Sequence, residues 1–178
     1  MCYESLYVGN LNMRFWELNM RHFFMTCLVV SGMGCGDKDS DSGSGDEVAY
    51  EETLLLWDNI QDMESWQQYE GWEGIVPSNS VHGDFVQIWL NEAANNALTS
   101  GSDLPEGAII AKQTFNDADG NTLKDITVMQ KIEGFNPEGN GWFWAQYLED
   151  GTVQNEGSPT MCTGCHAAGN DYVLFTSE

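Results

Sequence analysis

The chain is 178 residues long, with 28 acidic residues against 6 basic ones and a formal net charge of −22. A field of that sign excludes nucleic acid and anionic membrane surfaces as natural partners and favours a cationic or a small neutral one. An acidic surface also suits an exported protein, and every tryptophan but Trp16 lies beyond residue 50, so a core is expected only in the C-terminal part.

Residues 1–35 read as an upstream extension followed by an export signal. Arg21 and His22 form a short positive start, Phe23 to Val30 an apolar run, and Ser31-Gly32-Met33-Gly34 a small-residue stretch ending at Cys35. The true start is then Met13 or Met20. A cysteine closing such a segment ahead of a polar tail resembles a bacterial lipoprotein processing site, with Gly32 where an aliphatic residue is usual. That makes Cys35 the acylated first residue of a protein of the periplasm or outer cell envelope. The other reading is a cysteine inside a signal peptide cleaved elsewhere. The apolar run has about half the length a bilayer requires, so membrane association is expected only through a lipid anchor at Cys35.

Residues 36–50 form an acidic flexible linker with too little apolar content to pack. Asp37, Asp39 and Asp41 are spaced like calcium ligands, but the glycine and closing glutamate of such a loop are missing. Residues 51–178 are then one domain.

Within that domain Leu56, Ile60, Met63 and Trp66 recur at three- and four-residue steps, which predicts an amphipathic helix over 51–68. Asp84 to Leu90 is β-rich. Asn91 then caps a short helix running to Leu98 and stopping near Gly101. Ala108 to Phe115 and Asp125 to Ile132 are two further strands, joined by a hairpin turn at Asp117-Ala118-Asp119-Gly120-Asn121. Gly141 to Tyr147 is a fourth, closed by a turn at Asp150-Gly151. Short strands with turn signals plus a few helices indicate an α+β domain, mainly antiparallel sheet, with no internal repeat.

After Pro159 comes Cys162-Thr163-Gly164-Cys165-His166, on a loop or short helical turn. Two thiols three positions apart can form thioether bonds to both vinyl groups of one haem, and the next histidine then meets the iron. A structural zinc site would need a second ligand pair, and Cys2, Cys27 and Cys35 all precede the domain. A redox dithiol of the thioredoxin type belongs early in a βαβ unit, and a plain disulfide is the remaining alternative. Haem c, covalently held by Cys162 and Cys165 with His166 on the iron, is the leading expectation. The segment Asp171 to Phe175 packs the chain end, and the haem lies against the sheet.

A filled sixth position makes an electron carrier, whereas an open one binds small molecules. His82 precedes Gly83 at a strand entrance and reads as a surface or turn histidine. Met129 reads as core, and Met161 is tied to the attachment side. Lys112 sits mid-strand in a domain whose other cations are only Lys124 and Lys131. Periodicity alone makes it an outward-facing lysine on a half-exposed strand.

Taken together, these segments resemble the cytochrome P-460 family. The resemblance rests on Leu54-Leu55-Leu56 with Trp66, His82 to Asn91, Leu104 to Lys112, Gly141 to Trp144, Cys162 to His166 and Asp171 to Phe175, in order through residues 52 to 176. It implies an antiparallel sheet carrying one c-type haem, with His166 as axial ligand and an open distal side. It also implies a lysine, here Lys112, cross-linked to the porphyrin edge in the catalytic members, which oxidise hydroxylamine. A related branch, the cytochromes c-prime-beta, binds nitric oxide without the cross-link. The family's distal arginine has no equivalent here, with Val86 about where it should be, and Thr127 stands at or near the position of its pocket carboxylate.

The expected function is therefore an exported mono-haem c-type cytochrome with an open distal site. It would bind or oxidise hydroxylamine or nitric oxide as an oxidoreductase and exchange electrons with a redox partner protein. The alternatives are a six-coordinate electron-transfer cytochrome, with His82 or Met129 as second ligand, and a non-catalytic nitric oxide binder.

Overall fold

The computed structural model describes residues 44–174, apart from the side chains of residues 44–48 and of Asn79. The segment expected to be an export signal, Cys2, Cys27, the expected lipidation site at Cys35 and Phe175 lie outside the described residues.

The first helix, α1, is Ser44–Asn59, and a 3-10 turn, Met63–Ser65, follows it. Next come β1 (Gln67–Gln68), β2 (Val76–Ser80), β3 (Gly83–Leu90), α2 (Glu92–Ser100), β4 (Ile109–Phe115), β5 (Leu123–Lys131), β6 (Trp142–Tyr147), β7 (Val153–Gly157) and α3 (Thr160–His166). Strands β3 to β7 pair with their neighbours in chain order, while β1 and β2 both pair with β3 along its other edge. Every pairing is antiparallel, so the α+β class with a mainly antiparallel sheet is the one observed.

The helix α1 begins at Ser44, inside the stretch read as linker, and ends at Asn59 rather than Gln68. Its early start has a packing reason: Ala49 lies against the core, and its carbonyl accepts from the buried Thr53 hydroxyl at 2.8 Å. The expected apolar stripe survives the helix end. Leu56, Ile60 and Met63 are all buried, and the last turn tightens into three-residue bonds such as Met63 N to Ile60 O at 3.1 Å.

Alternation along the strands makes two faces with different covers. Ile109 and Ala111, Ile126 and Val128, and Phe143, Ala145 and Tyr147 meet Leu56, Ile60 and Met63 in one cluster. Tyr147 closes it by donating its hydroxyl to Thr53 O at 2.7 Å, which ties β6 to α1. The opposite face carries Val86, Ile88, Leu90, Ile110, Met129, Trp142 and Trp144, and α2 covers one end of it through Ala94 and Ala97. Asn91 fixes that cover as the cap expected from sequence. Its side chain accepts from the Ala94 and Ile109 amides, each at 3.0 Å, and donates to Gly107 O at 2.8 Å. Gly101 ends α2 in the left-handed conformation (φ 68°).

Candidate haem site

The part of the second face that α2 leaves uncovered opens into a cavity of about 470 Å³, a size usual for a small-molecule or cofactor site. Val86, Ile88, Ile110, Met129 and Trp144 form its sheet wall. The α3 segment, with Cys162, Cys165 and His166, stands across from them, joined by Val173 and Leu174.

Pro159 starts α3 in extended backbone (ψ 130°), and His166 is its last residue. Both cysteines are free thiols, Cys162 half-buried and Cys165 exposed. Burial, and then the neighbouring Cys165, push the Cys162 thiol up from its ordinary value. A redox dithiol depends on the opposite shift, so the thioredoxin-like reading finds no support here.

The His166 imidazole is oriented by the backbone beyond it. Its Nδ1 lies 2.7 Å from Tyr172 O, and a carbonyl can only accept, so Nδ1 carries the proton and Nε2 keeps a lone pair. Burial lowers the His166 pKa, Lys112 adds to this, and the bond to Tyr172 opposes it. The neutral ring is the ligating form.

Tyr172 is held there at a local cost. It and Asp171 adopt left-handed backbone conformations (φ 61° and 47°), uncommon for residues with side chains. The Asp171 carboxylate accepts from Lys131 Nζ at 2.7 Å, Asn140 Nδ2 at 2.5 Å, Trp142 Nε1 at 3.2 Å and the Leu104 amide at 3.4 Å. Its carbonyl accepts from Trp142 Nε1 at 2.8 Å. Gly169 is required in the same turn, because an added Cβ would come within 2.3 Å of Val173 O.

Lys112 and His82 correct two expectations. Lys112 does not face solvent on a half-exposed strand. It projects into the cavity between Ile88 and Thr127, its register partners on β3 and β5. Burial pulls its pKa down to about 8, partly opposed by the Asp125 carboxylate. His82 is not a plain turn residue, because it sits at the β2–β3 hairpin tip yet lines the cavity. Burial, followed by the charges of Lys112, His166 and Lys124, depresses its pKa to about 3. Its ring centre lies 6.2 Å from that of His166, with the planes at 79°. Met129 packs on the sheet as expected, and Met161 is 70% exposed.

Sequence reasoning missed Asp125. Thr127 does line the cavity, but the cavity also has a carboxylate, two residues earlier on the same face of β5. Asp125 is 5% exposed and accepts from Gln146 Nε2 at 2.9 Å, and Gln146 in turn accepts from Asn155 Nδ2 at 2.6 Å. Its other oxygen, Oδ1, is buried with no partner among the described residues, as is Trp144 Nε1. The signal was the two-residue period, which puts Asp125, Thr127 and Met129 on the face that carries Lys112.

An apolar cavity, two unpaired thiols, an imidazole with Nε2 free and orphaned buried polar atoms on the wall together fit a haem of the c type. The cytochrome P460 family model matches residues 66–176, more than half of the chain and all the site residues described above. The chain belongs to the cytochrome P460 family and is a haem c cytochrome. No curated protein matches it.

Proposed function

We propose that this is an exported, lipid-anchored cytochrome in which Cys162 and Cys165 attach one haem, His166 ligates its iron, and the cavity admits a small nitrogen compound for oxidation or binding. The observation that carries the reading is the 2.7 Å contact of His166 Nδ1 with Tyr172 O, which leaves Nε2 as the lone-pair nitrogen available to a metal. Haem bound there would supply one-electron redox chemistry and an axial position for a ligand.

The chain's own groups suit hydroxylamine or nitric oxide. Oxidising hydroxylamine releases protons, and Asp125 supplies an acceptor oxygen that no group among the described residues occupies. Lys112, with its pKa near 8, has a substantial neutral fraction at mildly alkaline pH. In a haem held in this cavity, Lys112 would be the residue whose neutral amine is available to the porphyrin edge. Electrons from substrate oxidation pass to a redox partner protein outside the cell membrane.

The test compares wild type, Cys162→Ala/Cys165→Ala and Asp125→Asn, each expressed with haem-maturation machinery. Wild type keeps haem through acid extraction and consumes hydroxylamine with an artificial electron acceptor. The double variant loses all extraction-resistant haem. Asp125→Asn keeps haem but turns over about 10²-fold more slowly or worse. Full haem retention in the double variant would refute the attachment, and unchanged turnover in Asp125→Asn would refute the proton-acceptor role.

A further inference from the structure

We infer that His82 is the second axial ligand of the iron, so that the resting haem is six-coordinate and a small ligand must displace this histidine. The inference rests on the haem reading above and refines its distal side.

An imidazole nitrogen binds a divalent first-row metal at about 2 Å, so two imidazoles on opposite sides of one metal have ring centres roughly 6 Å apart. His82 and His166 have ring centres 6.2 Å apart. Rings that share an axis through a metal can take any rotation about it, so planes at 79° are compatible with that arrangement. Both rings line the same cavity.

The two histidines are held there by different means. His166 is aimed by Tyr172 O. His82 is aimed by its hairpin: Ser80 pairs with Gly83, the His82 carbonyl accepts from Lys124 Nζ at 3.0 Å, and its amide donates to Ser80 Oγ at 3.3 Å. Gly83 takes a φ of 143° and lies so close to β4 that an added Cβ would come within 2.5 Å of Thr114 Cγ2. That close approach sets the hairpin tip over the cavity, while the preceding Val81 is 86% exposed. No hydrogen bond to a ring nitrogen of His82 is seen among the described residues, which leaves the single lone pair of its neutral imidazole to a ligand role.

The methionine alternatives fit less well. Met129 is 8% exposed and packed within the sheet-face cluster, and Met161, which lines the cavity beside Cys162, is 70% exposed. A histidine cap makes the iron selective. Strongly binding diatomics such as nitric oxide compete with it, and water does not.

The experiment records visible and electron paramagnetic resonance spectra of the full haem-loaded chain as wild type, His82→Ala and Met129→Ala, with carbon monoxide titrations of the reduced forms. Wild type and Met129→Ala are expected to be low-spin. His82→Ala is expected to be high-spin and to return to low-spin on adding free imidazole. A cap populated about 100:1 lowers the apparent carbon monoxide affinity about 100-fold, so His82→Ala binds it about 100-fold more tightly. Covalent haem that is already high-spin in wild type, or that stays low-spin in His82→Ala, overturns the His82 assignment and leaves the attachment reading intact. A wild-type chain without covalent haem overturns both.

Discussion

The two faces of the sheet are made by the same four strands with the same alternation, yet they end in opposite chemical states. On the α1 face every strand contributes carbon, and the Tyr147 hydroxyl finds its acceptor on Thr53. On the opposite face the next residue along each strand is often polar: Lys112, Asp125, Thr127, Gln146. There a lysine loses basicity, a histidine stays neutral, and Asp125 Oδ1 and Trp144 Nε1 lie buried without partners among the described residues. One face is built for stability. The other gathers a lysine, a carboxylate and two histidines around an open cavity, which is how a site differs from a core.

Mutations can break that contrast from either side. The largest effect is expected on the closed face, where Phe143 is fully buried against Phe135 with ring centres 5.2 Å apart. Phe143→Ala should cost about 3–5 kcal/mol in urea denaturation of the haem-free protein. Asp171→Ala removes the acceptor for a Lys131 whose side chain is 13% exposed, and should cost a similar amount, about 3–5 kcal/mol. It differs from Phe143→Ala in also freeing the Tyr172 carbonyl. In haem-loaded protein the Asp171 variant, and not a core variant of equal stability, should shift the reduction potential.

Lys112→Met should act in the reverse direction, raising the stability of the haem-free protein by about 0.5–2 kcal/mol while removing the cavity amine. Its pH signature sharpens the comparison. The folded pKa of Lys112 is about 8 against an ordinary lysine value of 10.5, so between those values the unfolded chain binds more protons. Wild-type stability therefore gains a rising component from about pH 8 to 10.5, and Lys112→Met should lack it in denaturation midpoints measured across that range.

Much of this was legible from residue order. Strands β3 to β6, the Asn91 cap, the Gly101 stop and the helical turn after Pro159 follow from alternation, capping chemistry and breakers. Strands β1, β2 and β7 did not, because Gln67-Gln68, Val76 to Ser80 and Val153 to Gly157 are short, polar edge segments whose pairing comes from the sheet rather than from propensity. The boundaries of α1 failed for the same kind of reason. Ser44 to Tyr50 is acidic and unremarkable alone, and helix there depends on packing against the sheet. At the site, the attachment motif was explicit in the sequence. The carboxylate at Asp125 was hidden by treating it as a strand end rather than as a position on the Lys112 face. The Tyr172 carbonyl has no side-chain signature, since it depends on two residues with positive φ.

The helix α3 has one more property that matters for how the protein is made. None of its residues is buried, although it carries both thiols and the axial histidine. It is held by the bond from His166 to Tyr172, the ring contact of His166 with Trp144 and the packing of Cys162 on the sheet cluster, while its other residues are exposed or half-buried. Such a segment opens at a small fraction of the free energy needed to melt the sheet. If Cys162 and Cys165 attach haem as proposed, the attaching enzyme would meet them on a segment that can open while β3 to β7 stay paired.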